Sequence, residues 1–329
     1  MPVYWLGGLA LVVSFGLGLM LIRFAPFLQL VQTPNQRSSH QRPTPTGGGI
    51  AILGGGMMAA PFVTGDLALM SAVGLAMAAL GLWDDLREPP ALLRFLLQAI
   101  AAAALVLIVG PQRIAGLLGP YAPFVVAVGA VWWINLFNFM DGIDGLAAGQ
   151  ALFMLAGGVV IVFLTHENWA GETETVMLVA LGAATLGFLA LNLPPARIFM
   201  GGVGSYFLAT MIFALALATL LQGWVSLQSW LILGAAFVSD ATVTLLTRVL
   251  RREKFWRAHR SHAYQRIART WGGHGRVTAA FATINILYLL PLAVLAQAAP
   301  IFAWGITAFA YGPLLVAAQQ FGAGRPDAE

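Results

Sequence analysis

Asp84 and Asp85 stand side by side in a chain where charge is scarce, with only 9% of residues Asp, Glu, Lys or Arg. Adjacent carboxylates raise each other's pKa, and such a pair persists most readily where a cation holds it. Magnesium takes hard oxygen ligands, usually a few carboxylates together with the phosphates of a substrate. A second group follows in the run Asn135-Leu-Phe-Asn138-Phe-Met-Asp141-Gly142-Ile-Asp144-Gly145. Spacing by three puts Asn135 beside Asn138 on one helix face. Asp141 and Asp144 repeat that spacing, and the glycines let the backbone turn tightly or approach a ligand. Asp-Gly pairs also mark ordinary turns. A turn, however, needs neither two Asn nor the neighbouring Trp132 and Trp133, so this run is the strongest local sign of chemistry.

Three further clusters carry weaker signals. Asn192-Leu-Pro-Pro-Ala-Arg197-Ile-Phe-Met-Gly201-Gly202-Val-Gly204-Ser205 ends in glycines before an apolar run. Backbone N–H groups at a helix start suit phosphate, although close helix packing explains the glycines equally well. Arg37, His40 and Arg42 precede Pro43-Thr-Pro-Thr-Gly-Gly-Gly49, where a phosphate cradle and plain loop chemistry weigh the same. His259, Arg260 and His262 lie in a basic segment with Tyr264 and Gln265. Arginine offers forked phosphate contacts and histidine exchanges protons near neutral pH. Asp240 falls within an apolar run and requires a partner there, structural or functional. His166 and His274 read as ordinary loop residues.

These clusters need elements to hold them, and the composition says which. The chain of 329 residues is 59% hydrophobic with mean hydropathy +0.82. Apolar runs near 20 residues long match a hydrocarbon core of ~30 Å. They fall at 3–24, 47–64, 67–83, 91–110, 121–137, 145–164, 175–193, 203–221, 230–247, 277–296 and 300–318, predicting about eleven membrane helices. The fold class expected is therefore all-α and polytopic, in one domain. With the N-terminus outside, only Arg113 among the Lys and Arg residues faces outward, leaving 16 of the 17 inside. That bias is the pattern of cytoplasmic loops. Every polar cluster then lies at a cytoplasmic helix end, and the basic balance reports topology and affinity for anionic head groups, with no nucleic acid involved. The chain has no cysteine, which excludes disulfides and thiolate chemistry.

In this order along the chain, the RPTPTGGG loop, LWDDL with Arg94 and Gln98 downstream, NLFNFMDGIDGLAAG, NLPPARIFMGGVGS and HRSHAYQR resemble the polyprenyl-phosphate N-acetylhexosamine-1-phosphate transferases, glycosyltransferase family 4. The RSSHQRPTP and HRSHAYQR forms look most like the enzymes that initiate O-antigen-type lipopolysaccharide. The resemblance implies transfer of a sugar 1-phosphate from a UDP-N-acetylhexosamine to undecaprenyl phosphate, with UMP released. It implies a Mg²⁺ ion, or Mn²⁺ in its place, a multi-pass location in the bacterial inner membrane, and the option of a homodimer. By the same resemblance Asp84, Asp85, Asn138 and Asp141 hold the metal, and Asp84 is the candidate base. Asp144 and His262 join Asp84, Asp85 and Asp141 as catalytic residues, while Asn192, Asn135, Arg94, Arg42, His259 and Arg260 bind substrate.

One position departs from the family. Its pattern is Phe-Met-Gly-Asp-x-Gly-Ser, and that Asp is a principal metal ligand; here Gly202 takes its place. The departure motivates a second reading, a catalytically impaired family member. A secondary transporter is a third. Transporters gather polar residues at the bilayer midplane within repeats, whereas here they sit at helix ends and no repeat is visible.

Overall fold

The structure, a computed structural model, describes residues 3–28, 30–32, 43–253 and 259–326. It is helical almost throughout. Along the chain run α1 (Val3–Phe24), α2 (Gly49–Gly56), α3 (Gly65–Arg87), α4 (Ala91–Val109), α5 (Pro111–Leu118), α6 (Ala122–Phe139), α7 (Leu146–Thr165), α8 (Thr173–Asn192) and α9 (Gly201–Leu221). Then come α10 (Leu227–Leu233), α11 (Ala235–Leu250), α12 (Ala263–Thr270), α13 (His274–Ile284), α14 (Leu290–Ala298) and α15 (Ala303–Gln320). Among the described residues nine helical spans are long and apolar enough to cross a membrane, and the pair α10–α11, bent by 71°, makes a tenth broken one. The all-α polytopic architecture stands.

The second expected span is shorter than the rest. It holds eight α-helical residues followed by six 3₁₀ residues with Pro61 among them. At 1.5 and 2.0 Å per residue it reaches roughly 24 Å, short of a full hydrocarbon core. Two amphipathic helices of eight residues, α5 and α12, fall in segments the apolar runs left as connections.

Helix α9 is apolar on every side, the mark of a helix enclosed by others. It packs against α3, α6, α2 and α7, and its residues from Gly202 to Ile212 are all buried. Helices α1, α2 and α8 pack along one flank, and α11, α14 and α15 along the other. At its first turn α9 meets α3 and α2 through backbone. A Cβ on Gly81 would collide with the Gly202 carbonyl, and one on Gly49 with the Gly204 amide. Glycines at these points let three helices converge.

A two-residue ladder, β1 (Val31–Gln32) with β2 (Thr44–Pro45), closes the first loop. It is stitched to the segment before α9: the Phe199 amide donates to the Pro45 carbonyl at 2.8 Å, and the Gly48 and Gly49 amides donate to the carbonyls of Phe199 and Met200. The first-loop glycines and the GGVGS segment thus form one unit.

Midway along the bundle, the break between α10 and α11 leaves the Leu233 carbonyl without helical continuity. The Gln150 side-chain amide donates to it at 2.8 Å, and Asn285, at the start of a π-helical turn, donates to the Gln150 oxygen at 2.8 Å. Irregular backbone at membrane depth requires such internal partners.

Candidate active site

The ends of α3, α6 and α8 and the starts of α4, α7 and α9 come together at the end of the bundle that the charge pattern assigns to the cytoplasm. Successive residues on a helix point about 100° apart, so Asp84 and Asp85 face different partners. Asp84 turns to α4 and α9: Nη1 of Arg94 reaches its two oxygens at 2.9 and 2.8 Å, and the Tyr206 hydroxyl donates to Oδ2 at 3.1 Å. Asp85 turns to the first turn of α9, where the Gly202 amide lies 2.9 Å from both of its oxygens. A carboxylate from α3 therefore caps α9, meeting unpaired amides and the positive end of the helix dipole. The Asp85 residue remains exposed.

From α6, Asn138 accepts a hydrogen bond from the Ser205 hydroxyl at 2.9 Å. Asn135, a turn earlier, donates to Gln98 at 2.7 Å and to the Val131 carbonyl of its own helix. Asp141 follows in the α6–α7 connection, and its carboxylate accepts no hydrogen bond from the described residues. Burial, and then the charge of Asp85, push its pKa up to about 7. The two carboxylates are close enough to sense each other. Asp84, Asp85, Asn138 and Asp141 thus gather around the first turn of α9.

Asp144 and Asn192 act on the scaffold. Asp144 accepts from the Ala196 amide at 3.1 Å and pairs with His274 at 3.1 Å, and its carbonyl accepts from Thr278. The Asn192 carboxamide is filled at both ends, accepting from the Gly145 amide at 3.0 Å and donating to the Ile198 carbonyl at 2.8 Å. Together they lace the α6–α7 connection to the α8–α9 connection and to α13. His274, read from sequence as an ordinary loop residue, belongs to this lacing.

The histidine segment is organised by Asp240. Its carboxylate receives the Ala263 and Tyr264 amides at 3.0 and 2.8 Å and the Thr244 hydroxyl at 3.1 Å, and pairs with His262 at 3.2 Å. The partner that Asp240 requires is thus the start of α12 together with His262. His262 is almost wholly buried, and the His259 ring stacks on it with centroids 5.0 Å apart. Burial, then the neighbouring His262 and Arg248, pull the His259 pKa down to about 3, so it is neutral at physiological pH. The Tyr264 hydroxyl donates to the Phe139 carbonyl at 2.9 Å, and only a glycine at 142 leaves room for it. This bond joins the histidine segment to the end of α6. Arg260 is exposed, with its carbonyl taken by Arg269. Arg42 lies outside the described residues.

Among the described residues no three His, Asp or Glu side chains come together to hold a metal ion. Magnesium seldom needs three, being commonly held by one or two carboxylates and completed by substrate phosphates and water. The exposed Asp85 and the unpartnered Asp141 fit that mode. A side chain at 202 does not fit: its Cβ would lie 2.7 Å from the Gly81 carbonyl and 3.0 Å from Asp85. Tyr206, Ser205, Gln98 and Tyr264 are contacts that the sequence left without a role. Of these, Tyr206 had a visible sign, a phenol placed one residue past GGVGS in an otherwise apolar run.

Fold and site together define an integral membrane protein with an acidic centre at one end of its helix bundle. A family model described as glycosyl transferase family 4 matches residues 67–220, from α3 to α9. The chain is 29% identical over 302 residues to the probable undecaprenyl-phosphate N-acetylglucosaminyl 1-phosphate transferase of Bacillus subtilis, covering 84% of this chain and 80% of that protein. It is 29% identical over 291 residues to the phospho-N-acetylmuramoyl-pentapeptide-transferase of Desulforudis audaxviator, covering 76% and 84%. A shorter match, 43% over 96 residues, joins it to the corresponding transferase of Chlamydia muridarum. From α3 to α9 the chain is thus similar to glycosyl transferase family 4, and over most of its length to transferases that bear these names.

Proposed function

We propose that the protein transfers an N-acetylhexosamine 1-phosphate from its UDP derivative to undecaprenyl phosphate, releasing UMP and starting a lipid-linked envelope glycan of the O-antigen type. The observation that carries the reading is the gathering of Asp84, Asp85, Asn138 and Asp141 around the α9 N-terminus. The named relatives, which act on undecaprenyl phosphate or on a phospho-sugar pentapeptide, support the reaction class. The O-antigen assignment rests on the two loop motifs alone.

The acceptor is a phosphate monoester whose second pKa lies near ~6, so at neutral pH it is already mostly ionised. One of its oxygens attacks the β-phosphorus of the donor, and the bond to the UMP oxygen breaks. No strong base is required. The protein must align two anions and compensate their charge, which is where catalysis of phosphoryl transfer resides. Magnesium held by Asp85, Asp141 and the Asn138 carbonyl would supply positive charge to the donor diphosphate. Arg94, paired with Asp84, brings a cation from the protein itself. The lacing by Asp144, Asn192 and His274 fixes the loops in which Asp141 and the α9 start reside.

Purified protein given undecaprenyl phosphate, Mg²⁺ and a panel of UDP-sugars is expected to release UMP. Asp141→Asn should lower that rate by at least ~100-fold, as loss of a group that compensates transition-state charge does. Absence of UMP with every donor, in Mg²⁺ and in Mn²⁺, would overturn the proposal. It would favour the second reading, a silent family member, for which Gly202 is the specific observation. Calorimetric binding of a UDP-sugar without turnover is that reading's signature.

A further inference from the structure

Arg94 meets Asp84 through one nitrogen. Nη1 spans both carboxylate oxygens, so the two-nitrogen fork that commonly joins Arg to a carboxylate is not made. Besides Asp84 and the adjacent Tyr206 hydroxyl, Arg94 has no bonded partner among the described residues, and its side chain is 32% exposed. The third party is Tyr206. Its ring is fixed in the core, 2% exposed, and its hydroxyl donates to Asp84 Oδ2. With that oxygen anchored to α9, the carboxylate is held away from the fork, and the outer half of the guanidinium stays open. Trp83, Leu86, Leu92, Phe95 and Leu96, on the adjoining turns of α3 and α4, are exposed apolar side chains. An anion that reaches Arg94 over this flank crosses lipid-facing surface.

We propose that Tyr206 is a positioning residue: it restrains Asp84 so that Arg94 presents its free nitrogens to a phosphate monoester carried on a lipid tail. The inference rests on the transferase reading only in identifying that lipid as the acceptor. Without the hydroxyl, Asp84 is free to rotate and draw both terminal nitrogens of Arg94 onto itself, closing the anion site without unfolding anything.

The test is binding of a polyprenyl monophosphate and of UDP-N-acetylglucosamine to the purified, detergent-solubilised full chain. Tyr206→Phe should weaken polyprenyl monophosphate binding about tenfold, the size expected for a hydrogen bond to a charged group. UDP-sugar binding should change less than about twofold by the same scale. In the Asp84→Asn background, where no carboxylate competes for Arg94, the same substitution should cost almost nothing, a coupling that a merely structural role would not show. Tyr311→Phe, which removes a hydroxyl bonded to the Leu231 carbonyl elsewhere in the bundle, is the control and should leave both affinities unchanged. Equal affinity in wild type and Tyr206→Phe overturns the inference, as does a tenfold loss that persists beside Asp84→Asn or a wild type that binds no polyprenyl monophosphate. A wild type that binds the lipid but releases no UMP sinks the transferase reading and leaves the positioning role standing.

Discussion

Gly202 is where chemistry and packing meet. The family pattern places a carboxylate there, and the obvious experiment is to restore it. The backbone of α3 stands in the way, because a Cβ at 202 would lie 2.7 Å from the Gly81 carbonyl. Gly202→Asp is therefore expected to lower thermal stability, by about 1–3 kcal/mol as overpacking commonly does, and to raise UMP release little or not at all. Thermal denaturation and the release assay measure the two effects together. His259 gives a second prediction at this scale. Its folded pKa, about 3, lies below the ordinary imidazole value of 6.5. As pH falls from 6.5 towards 3, the unfolded chain takes up a proton that the folded chain refuses, so this residue's contribution to stability declines with acidification. His259→Asn should narrow the difference in Tm between pH 7.5 and pH 5.5; the groups facing the ring are His262, Arg248 and Asp240. The acidic and amide residues of the centre were legible in the sequence because such side chains seldom persist at membrane-helix ends without a task. Their pairing was not. Asp144 meets His274 across 130 positions, and Asp85 caps a helix that begins 116 residues later; periodicity does not reach that far.

At the scale of elements, hydropathy located every long span, because a run of apolar residues reports burial in lipid. It carries no information on direction, so α10 and α11 read as one straight helix although they meet at 71°. The short α12 was missed for a different reason. Eight residues leave too little apolar periodicity to detect, and its stability comes from Asp240 on another helix. Asp240→Ala should release the start of α12: the Ala263 and Tyr264 amides would exchange hydrogen faster, and His262 would lose its partner, at a cost of about 3–5 kcal/mol for breaking a buried charged network. Gln150→Leu tests the helix break. It removes the donor to the Leu233 carbonyl and should cost on the order of 1 kcal/mol, the usual worth of an interhelical hydrogen bond in lipid. Reversible denaturation in mixed detergent would measure it. A loss of UMP release larger than the loss of stability would tie the bend to turnover.

For the whole molecule, the charge pattern and the fold converge on one arrangement, with the acidic centre on the same face as nearly all the basic residues. Because the chain lacks cysteine, single-cysteine variants report sidedness cleanly. Glu174→Cys should react with an impermeant thiol reagent in intact cells, and Arg251→Cys only after the membrane is opened. The reverse result would invert the molecule and move the centre away from soluble nucleotide donors. The contact of Gly81 with Gly202 has a last consequence, for what the chain can accept. Glycine is already the smallest residue, and the atom in the way is a backbone carbonyl, so no substitution at 81 can make room for a larger residue at 202. A side chain there requires α3 and α9 to part as whole elements, a change that one mutation elsewhere on either helix does not supply.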